Sequence, residues 1–474
     1  MLFNSLDFLL FFSLVTVLYF LLKHPYRWIL LLVASCIFYM FFKPAYILIL
    51  GFTIVIDYLA GIYIERSSAN NKKKFLILSI IANVGVLAFF KYYNFFNDSI
   101  TSLSSLLKIN NTIPHLDILL PIGLSFHTFQ AMSYTIEIYK GRQKAERHFG
   151  IYALYVMFYP QLVAGPIERP QNILPQLHTE KYFNYPMVVA GLRLMLWGFF
   201  KKMVIADNLS PIVDNVYGNP TQQNGFTFLI ATYFFAFQIY CDFSGYSDIA
   251  LGSAKVMGIE LMRNFNIPYI ATSVKEFWER WHISLSTWFR DYVYIPLGGN
   301  RVTKSRWIIN LLIVFLLSGF WHGANWTFLI WGLLHGSFLV IELLVNSTIR
   351  KSIDTSSKWW KFISVLVTFH LVLFAWIFFR ANSVDNALYV INQIVFNTFN
   401  SCCISGMASS PIIICSLFIM IALFYCADIV RNTEKAREIY LSSVIIRNGI
   451  YLFLIYSIFI FGNADKTQFI YFQF

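Results

Sequence analysis

One feature bounds every fold open to this chain. Apolar runs recur along almost its whole length, the longer ones about 20 residues and so able to cross a bilayer as a helix. They fall near 2–22, 28–42, 46–64, 75–93, 116–139, 151–164, 187–206, 226–240, 307–320, 328–344, 362–379, 411–426 and 444–461. Composition agrees. Of 474 residues, 58% are hydrophobic and 13% are charged, against about 25% charged in ordinary soluble domains. The aromatic share of 19% excludes a disordered chain, which is poor in rings. The sequence therefore specifies an all-α polytopic membrane protein with about 11–13 membrane helices, the shorter runs being partial crossings. No linker or repeat divides it, so 1–474 reads as a single domain in the lipid bilayer.

The formal net charge of +12 fits loops of a membrane protein better than a nucleic-acid partner, because Lys and Arg collect on the cytoplasmic side. No aromatic-basic nucleic-acid module is present. Lys23 and Arg27 follow the first run, Arg66, Lys72, Lys73 and Lys74 the third, and Lys140, Arg142, Lys144 and Arg147 the fifth. This pattern predicts an N-terminus outside. No basic residue precedes the first run and no small-residue cleavage site follows it, so it is not read as a signal peptide. The six cysteines show no CxxC pair and are expected to be mostly buried thiols, with neither a disulfide framework nor a metal site.

The stretch 241–306 is rich in charge yet lies between apolar runs, so it must sit at the interface or line a cavity. Ser273 to Glu276 has the S-x-x-E pattern of a helix start. Val274, Phe277, Trp278, Trp281, Leu285, Trp288, Phe289 and Tyr292 then recur at helical spacing. One amphipathic helix is expected, lying in the membrane plane with its tryptophans at headgroup depth and ending near Pro296. His282 would share that helix with Glu279 and Ser286, and the carboxylate could fix its tautomer. An interfacial histidine with a single hydrogen bond is the plainer reading.

His322 sits in Trp321-His322-Gly323-Ala324-Asn325-Trp326, at the end of an apolar run. An ionisable group at this depth is costly unless it faces a cavity or a partner. Neutral imidazole can take a proton from a hydroxyl near neutral pH. Position alone serves a core histidine equally well. Gly319 and Gly323 would let another backbone or a substrate approach closely. His335, about 20 Å away if the segment is one helix, reads as a packing histidine, as do His127 and His370. Gly165 to Pro170 ends one run sharply, and Asp242 to Asp248 ends another, either at a cavity or at the water interface. Phosphate loops, dinucleotide fingerprints, serine elbows and H-E-x-x-H motifs are absent.

At these residues the chain resembles the membrane-bound O-acyltransferases, specifically the bacterial alginate O-acetyltransferase branch. The resemblance is carried by Pro121 to Gln130, Val163 to Ile167, Tyr240 to Asp248, Arg280 to Ser286, Tyr294 to Asn300, Phe320 to Gly323 and the C-terminal Phe469 to Phe474. It covers the whole chain and is densest over 121–336. It implies a ring of helices around a central tunnel, with amphipathic and re-entrant segments, and it implies His322 and His282 as the catalytic histidines. Trp321, Asn325, Asp242, Ser286 and Arg290 are the candidates for substrate binding, and Tyr471 is a possible acyl acceptor, the alternative being an aromatic patch that docks a partner. The resemblance further implies acetyl-CoA as cytoplasmic donor, with no cofactor held, a bacterial inner-membrane location, and an extracytoplasmic SGNH-hydrolase-like partner that esterifies a polysaccharide. The alternatives are a D-alanyl transferase of the teichoic-acid type, a secondary transporter, and a scaffold for polysaccharide export.

Overall fold

The computed structural model describes residues 1–349, 357–398, 411–431, 433, 442–462 and 469–470. Among them every regular element is a helix and no strand occurs. Eight helices are long and apolar enough to cross a membrane, and Leu6–Leu21 is a shorter apolar helix. The chain is a multi-pass membrane protein. Its contacts divide it into two compact units, one built from 1–195 and 246–262, the other from 196–245 and 263–470.

The first helix shows why membrane helices form here. Ser5 caps Leu6–Leu21 through a hydrogen bond from the Phe8 amide, and Asp7 complements the helix N-terminus. Phe8, Phe12, Val15 and Tyr19 make one buried face. The opposite face carries Leu6, Leu10, Leu14 and Leu21, all exposed. A helix apolar on both faces is at home only in lipid. Within the same unit several buried polar groups are paired with one another. Ser79 and Asn83 donate to Asp57 at 2.6–2.9 Å, and Thr53 meets His127 at 2.6 Å.

Several boundaries differ from the hydropathy pattern, each for a local reason. The run at 75–93 belongs to a 38-residue helix, Ala69–Leu106, with a π turn at Ala88–Tyr92. The run at 151–164 is broken into Phe149–Met157 and the single turn Tyr159–Leu162, because Pro160 cannot donate to a continuing ladder. The run at 226–240 extends to a 32-residue helix, Gly225–Val256, so Asp242 lies inside a helix rather than at its end. Hydropathy falls there because Asp242, Ser244 and Ser247 are buried against protein instead of lipid. Of the cysteines, Cys241 is buried and Cys36 intermediate, whereas Cys415 and Cys426 are exposed; apolar surroundings in lipid do not require burial in protein. Cys402 and Cys403 lie outside the described residues.

In the second unit, Lys304–His322 and Trp326–Ile349 form a helical hairpin. They touch backbone to backbone through glycine, which is how helices gain packing energy in lipid. A Cβ on Gly319 would lie 2.2 Å from the Phe328 carbonyl oxygen, and one on Gly332 would lie 2.3 Å from that of Phe315. The close approach expected at Gly319 is therefore made by a backbone. Gly319→Val is expected to force the hairpin apart and cost about 1–3 kcal/mol or more. Gly85→Ala, where nothing lies within 4 Å, is the control. Thermal unfolding in detergent checks this, with a drop only for the Gly319 variant.

Candidate active site

The expected single helix after Ser273 does not exist. It is two short helices, Val274–Arg280 and Ile283–Phe289, followed by a π turn at Arg290–Tyr294. The start follows the sequence pattern, since Ser273 Oγ accepts from the Glu276 amide at 3.0 Å. The Glu276 carboxylate, however, takes the Thr272 amide and hydroxyl, both at 2.7 Å. The break falls at His282, whose backbone is left-handed at φ 44° and ψ 53°. A non-glycine residue pays strain there, and such strain persists only where surroundings impose it. The 264–266 segment imposes it: Ile283 N–H donates to the Asn264 carbonyl at 2.9 Å and Asn266 N–H to the Arg280 carbonyl at 2.9 Å. The tryptophans do not form one outward aromatic face either. Trp281 and Trp288 are buried in protein.

The same segment sets the chemistry of His282. Asn264 Oδ1 accepts from Ser284 N–H at 3.2 Å and Ser284 Oγ–H at 2.9 Å, and His282 Nδ1 stands 3.1 Å from it. A backbone N–H can face only an acceptor, so that atom is the amide oxygen. His282 Nδ1 must then carry its proton, and Nε2 carries the lone pair. Glu279, four residues on from Lys275, is exposed and pairs with it; it does not touch the imidazole as expected. His282 lies between the spanning helices, and burial pushes its pKa down from 6.5 to about 3, so the ring is neutral. Its burial therefore leaves stability unaffected above pH 6.5 and lowers it as the pH falls from there towards 3, where only the unfolded chain takes the proton.

His322 is the last residue of Lys304–His322 and is buried. Its ring centroid lies 6.4 Å from that of His282. Trp321, Trp331 and Phe379 surround it edge-on, with centroids at 5.0, 5.0 and 5.5 Å. Phe243 packs on His282 at 4.6 Å. The result is two imidazoles in an aromatic box, a low-dielectric setting in which a proton transfer or an oriented dipole counts for more than in water. His335 is nearer than a continuous helix would put it. The chain reverses at 323–325, and Trp331 stands 5.0 Å from both His322 and His335. The two imidazoles are therefore within twice that distance.

The other candidates are distributed around this pair. Trp321 touches both histidines. Asn325 starts the second hairpin helix: its side chain accepts from Thr327 N–H at 3.0 Å and donates to the Asn382 carbonyl at 3.0 Å. Ser286 and Arg290 line a cleft of about 170 Å³, together with Trp278 and Phe315. Arg290 is exposed there and pairs with Asp291 at 2.8 Å. Asp242 is buried, with Oδ1 at 2.7 Å from Lys202 Nζ and Oδ2 accepting from Ile470 N–H at 2.7 Å. Tyr471 lies outside the described residues. Phe469, however, is buried and packs on Phe243, the ring that covers His282.

Three participants were not picked out from the sequence. Asn264 gives no local signal, since its partners are 18 and 20 residues away. Lys201 and Lys202 did give one, because two lysines inside an apolar run are functional candidates by default. They sit on a π turn, Phe200–Ala206, a feature that often marks functional sites. Lys202 bridges Asp207 and Asp242, at 2.8 and 2.7 Å, and Lys201 donates to Ser244 Oγ at 3.0 Å.

Comparison with known proteins meets this geometry. The family model for the membrane-bound O-acyltransferases matches residues 147–384, which include both histidines. A probable alginate O-acetylase of Pseudomonas putida is 34% identical, over all of both chains. The peptidoglycan O-acetyltransferase of Helicobacter pylori is 38% identical over 81% of this chain and 76% of its own. The teichoic acid D-alanyltransferase of Streptococcus thermophilus is 32% identical over 58% of this chain and 72% of its own.

Proposed function

This chain belongs to the membrane-bound O-acyltransferase family and is an acyltransferase, and from that premise we propose that it carries acetyl groups across a bacterial inner membrane for O-acetylation of a cell-envelope or exported polysaccharide. The donor is cytoplasmic acetyl-CoA. The cleft beside Ser286 receives it, with the Arg290 guanidinium at the rim for its phosphates. The Lys and Arg content of the loops after the first, third and fifth apolar runs supports a cytoplasmic side there and an N-terminus outside.

The observation that carries this reading is the enclosed histidine pair. His322 acts as general base: it takes the proton of an acceptor hydroxyl, the oxygen attacks the thioester carbonyl, the C–S bond breaks, and the thiolate leaves with the proton. His282 cannot be the acid, because its one N–H is given to Asn264. It accepts a hydrogen bond through Nε2 and so orients a donor group on the substrate.

The acceptor on this chain is the Tyr471 phenol. The anchoring of Phe469 and Ile470 beside Phe243 and Asp242 supports it, since these residues lead directly to Tyr471. An extracytoplasmic SGNH-hydrolase-like subunit then takes the acetyl group to the polymer. D-alanyl transfer is the second reading. Full-length similarity to an alginate O-acetylase, against 58% of the chain for the D-alanyltransferase, favours acetyl. Mass spectrometry of the C-terminal peptide after incubation with acetyl-CoA, without the partner, tests the acceptor. An acetyl increment on Tyr471, lost in His322→Ala, is expected; an unmodified peptide from active protein sinks it.

A further inference from the structure

We propose that a cavity in the first unit, at the end of Leu6–Leu21 and the start of His24–Met40, binds a phosphate ester. It measures about 320 Å³. Its polar rim holds His24, Arg27, His148 and His178, and its floor is apolar, including Leu31 and Leu154.

Arg27 carries the argument. It is only 8% exposed. Its Nε donates to the Leu22 carbonyl at 2.9 Å and its Nη1 to the Lys181 carbonyl, and the guanidinium lies 4.8 Å over the Tyr19 ring. Two carbonyls and the Tyr19 hydroxyl leave part of its five N–H donors unspent. Among the described residues no carboxylate forms an ion pair with it. A buried cation without an anion is costly, and the cost is removed by a ligand that brings the charge.

The lining supplies one further donor beside Arg27. His148 Nδ1 accepts the Ile151 N–H at 3.1 Å, so its hydrogen is on Nε2. His24 Nε2 donates to the His178 carbonyl at 3.1 Å. The one acidic group against these histidines, Glu146, is already committed: Oε2 lies 2.7 Å from His178 Nε2 and Oε1 accepts the His148 N–H at 2.8 Å. A rigid guanidinium fork suits phosphate, which it can hold through paired bonds, and an apolar floor suits the non-ionic remainder of an ester. Two sources offer this chemistry: the headgroup of an anionic phospholipid, and the phosphates of a coenzyme A molecule other than the donor held beside Ser286 and Arg290. The second rests on the donor reading above; the first does not.

The full-length protein is tested with two probes. Native mass spectrometry in detergent counts phosphatidylglycerol retained against phosphatidylcholine. Equilibrium dialysis of radiolabelled coenzyme A uses nanodiscs made only of phosphatidylcholine. Arg27→Gln removes the charge. Thr179→Phe leaves Arg27 in place and fills the mouth, which Thr179 lines; it decides the matter if the Arg27 variant does not fold. Lys358→Gln, an exposed lysine of the second unit, controls for net charge. On the order of tenfold weaker binding of one probe in both cavity variants is expected, with unfolding temperature unchanged for Thr179→Phe. Loss of phosphatidylglycerol assigns the lipid source, and loss of coenzyme A the nucleotide source. If both probes bind the cavity variants as they bind the Lys358 control, the proposal is overturned.

Discussion

His322→Gln is expected to lower acetyl transfer by about 10²–10⁴-fold, the range a general base contributes, with protein level and unfolding temperature near those of the parent. Glutamine keeps most of the volume that Trp321, Trp331 and Phe379 enclose, so the box is not emptied. What it removes is a basic nitrogen. Acetyl content of the envelope polymer in a complemented deletion strain is the readout. A scaffold for polysaccharide export would retain full acetylation in this variant. A transporter would show a transport defect with no acyl transfer to lose.

The second large effect is expected at Lys202. Its ammonium sits between two buried carboxylates, Asp207 and Asp242. Lys202→Met leaves both without their shared cation. Removing one partner of a buried ionic group costs about 3–5 kcal/mol, a large fraction of the stability of most folds. The variant is expected to accumulate poorly and to unfold well below the parent in detergent. Asp242→Asn separates the two jobs of that carboxylate. An amide oxygen can still accept the Ile470 N–H, and Lys202 keeps Asp207. This variant is therefore expected to fold, with its C-terminal segment cleaved faster in limited proteolysis because the charge-assisted part of the anchor is gone. Equal stability of Lys202→Met and the parent would show that the bridge is not buried as described.

Membrane class was legible because hydropathy acts over whole helices and needs no knowledge of partners. The pattern failed where a polar group is satisfied by a distant one. Asp242 looked like a helix end, since nothing in its neighbourhood announces Lys202 forty residues earlier or Ile470 near the C-terminus. The stretch around His282 looked like one amphipathic helix, since its ring spacing is helical on both sides of the break. Asn264 imposes that break from outside, and local propensity gives way to tertiary hydrogen bonds. A continuous helical rise puts His335 far from His322, but the chain turns back at 323–325 and brings them closer. Gly319 and Gly323 were singled out for close approach, and the partner that approaches, Phe328, comes from the facing helix. The candidate histidines themselves stood out for a simple reason: few ionisable groups occur in such apolar surroundings, and those that do are held there by contacts.

Transfer of radiolabelled acetyl from acetyl-CoA by purified protein in proteoliposomes, parent beside His322→Gln, tests the base most directly. The parent is expected to acquire label and release free coenzyme A in equal amounts until its acceptor is filled, and the variant to do neither above background. A glutamine variant that labels at the parent's rate would contradict the assignment of His322.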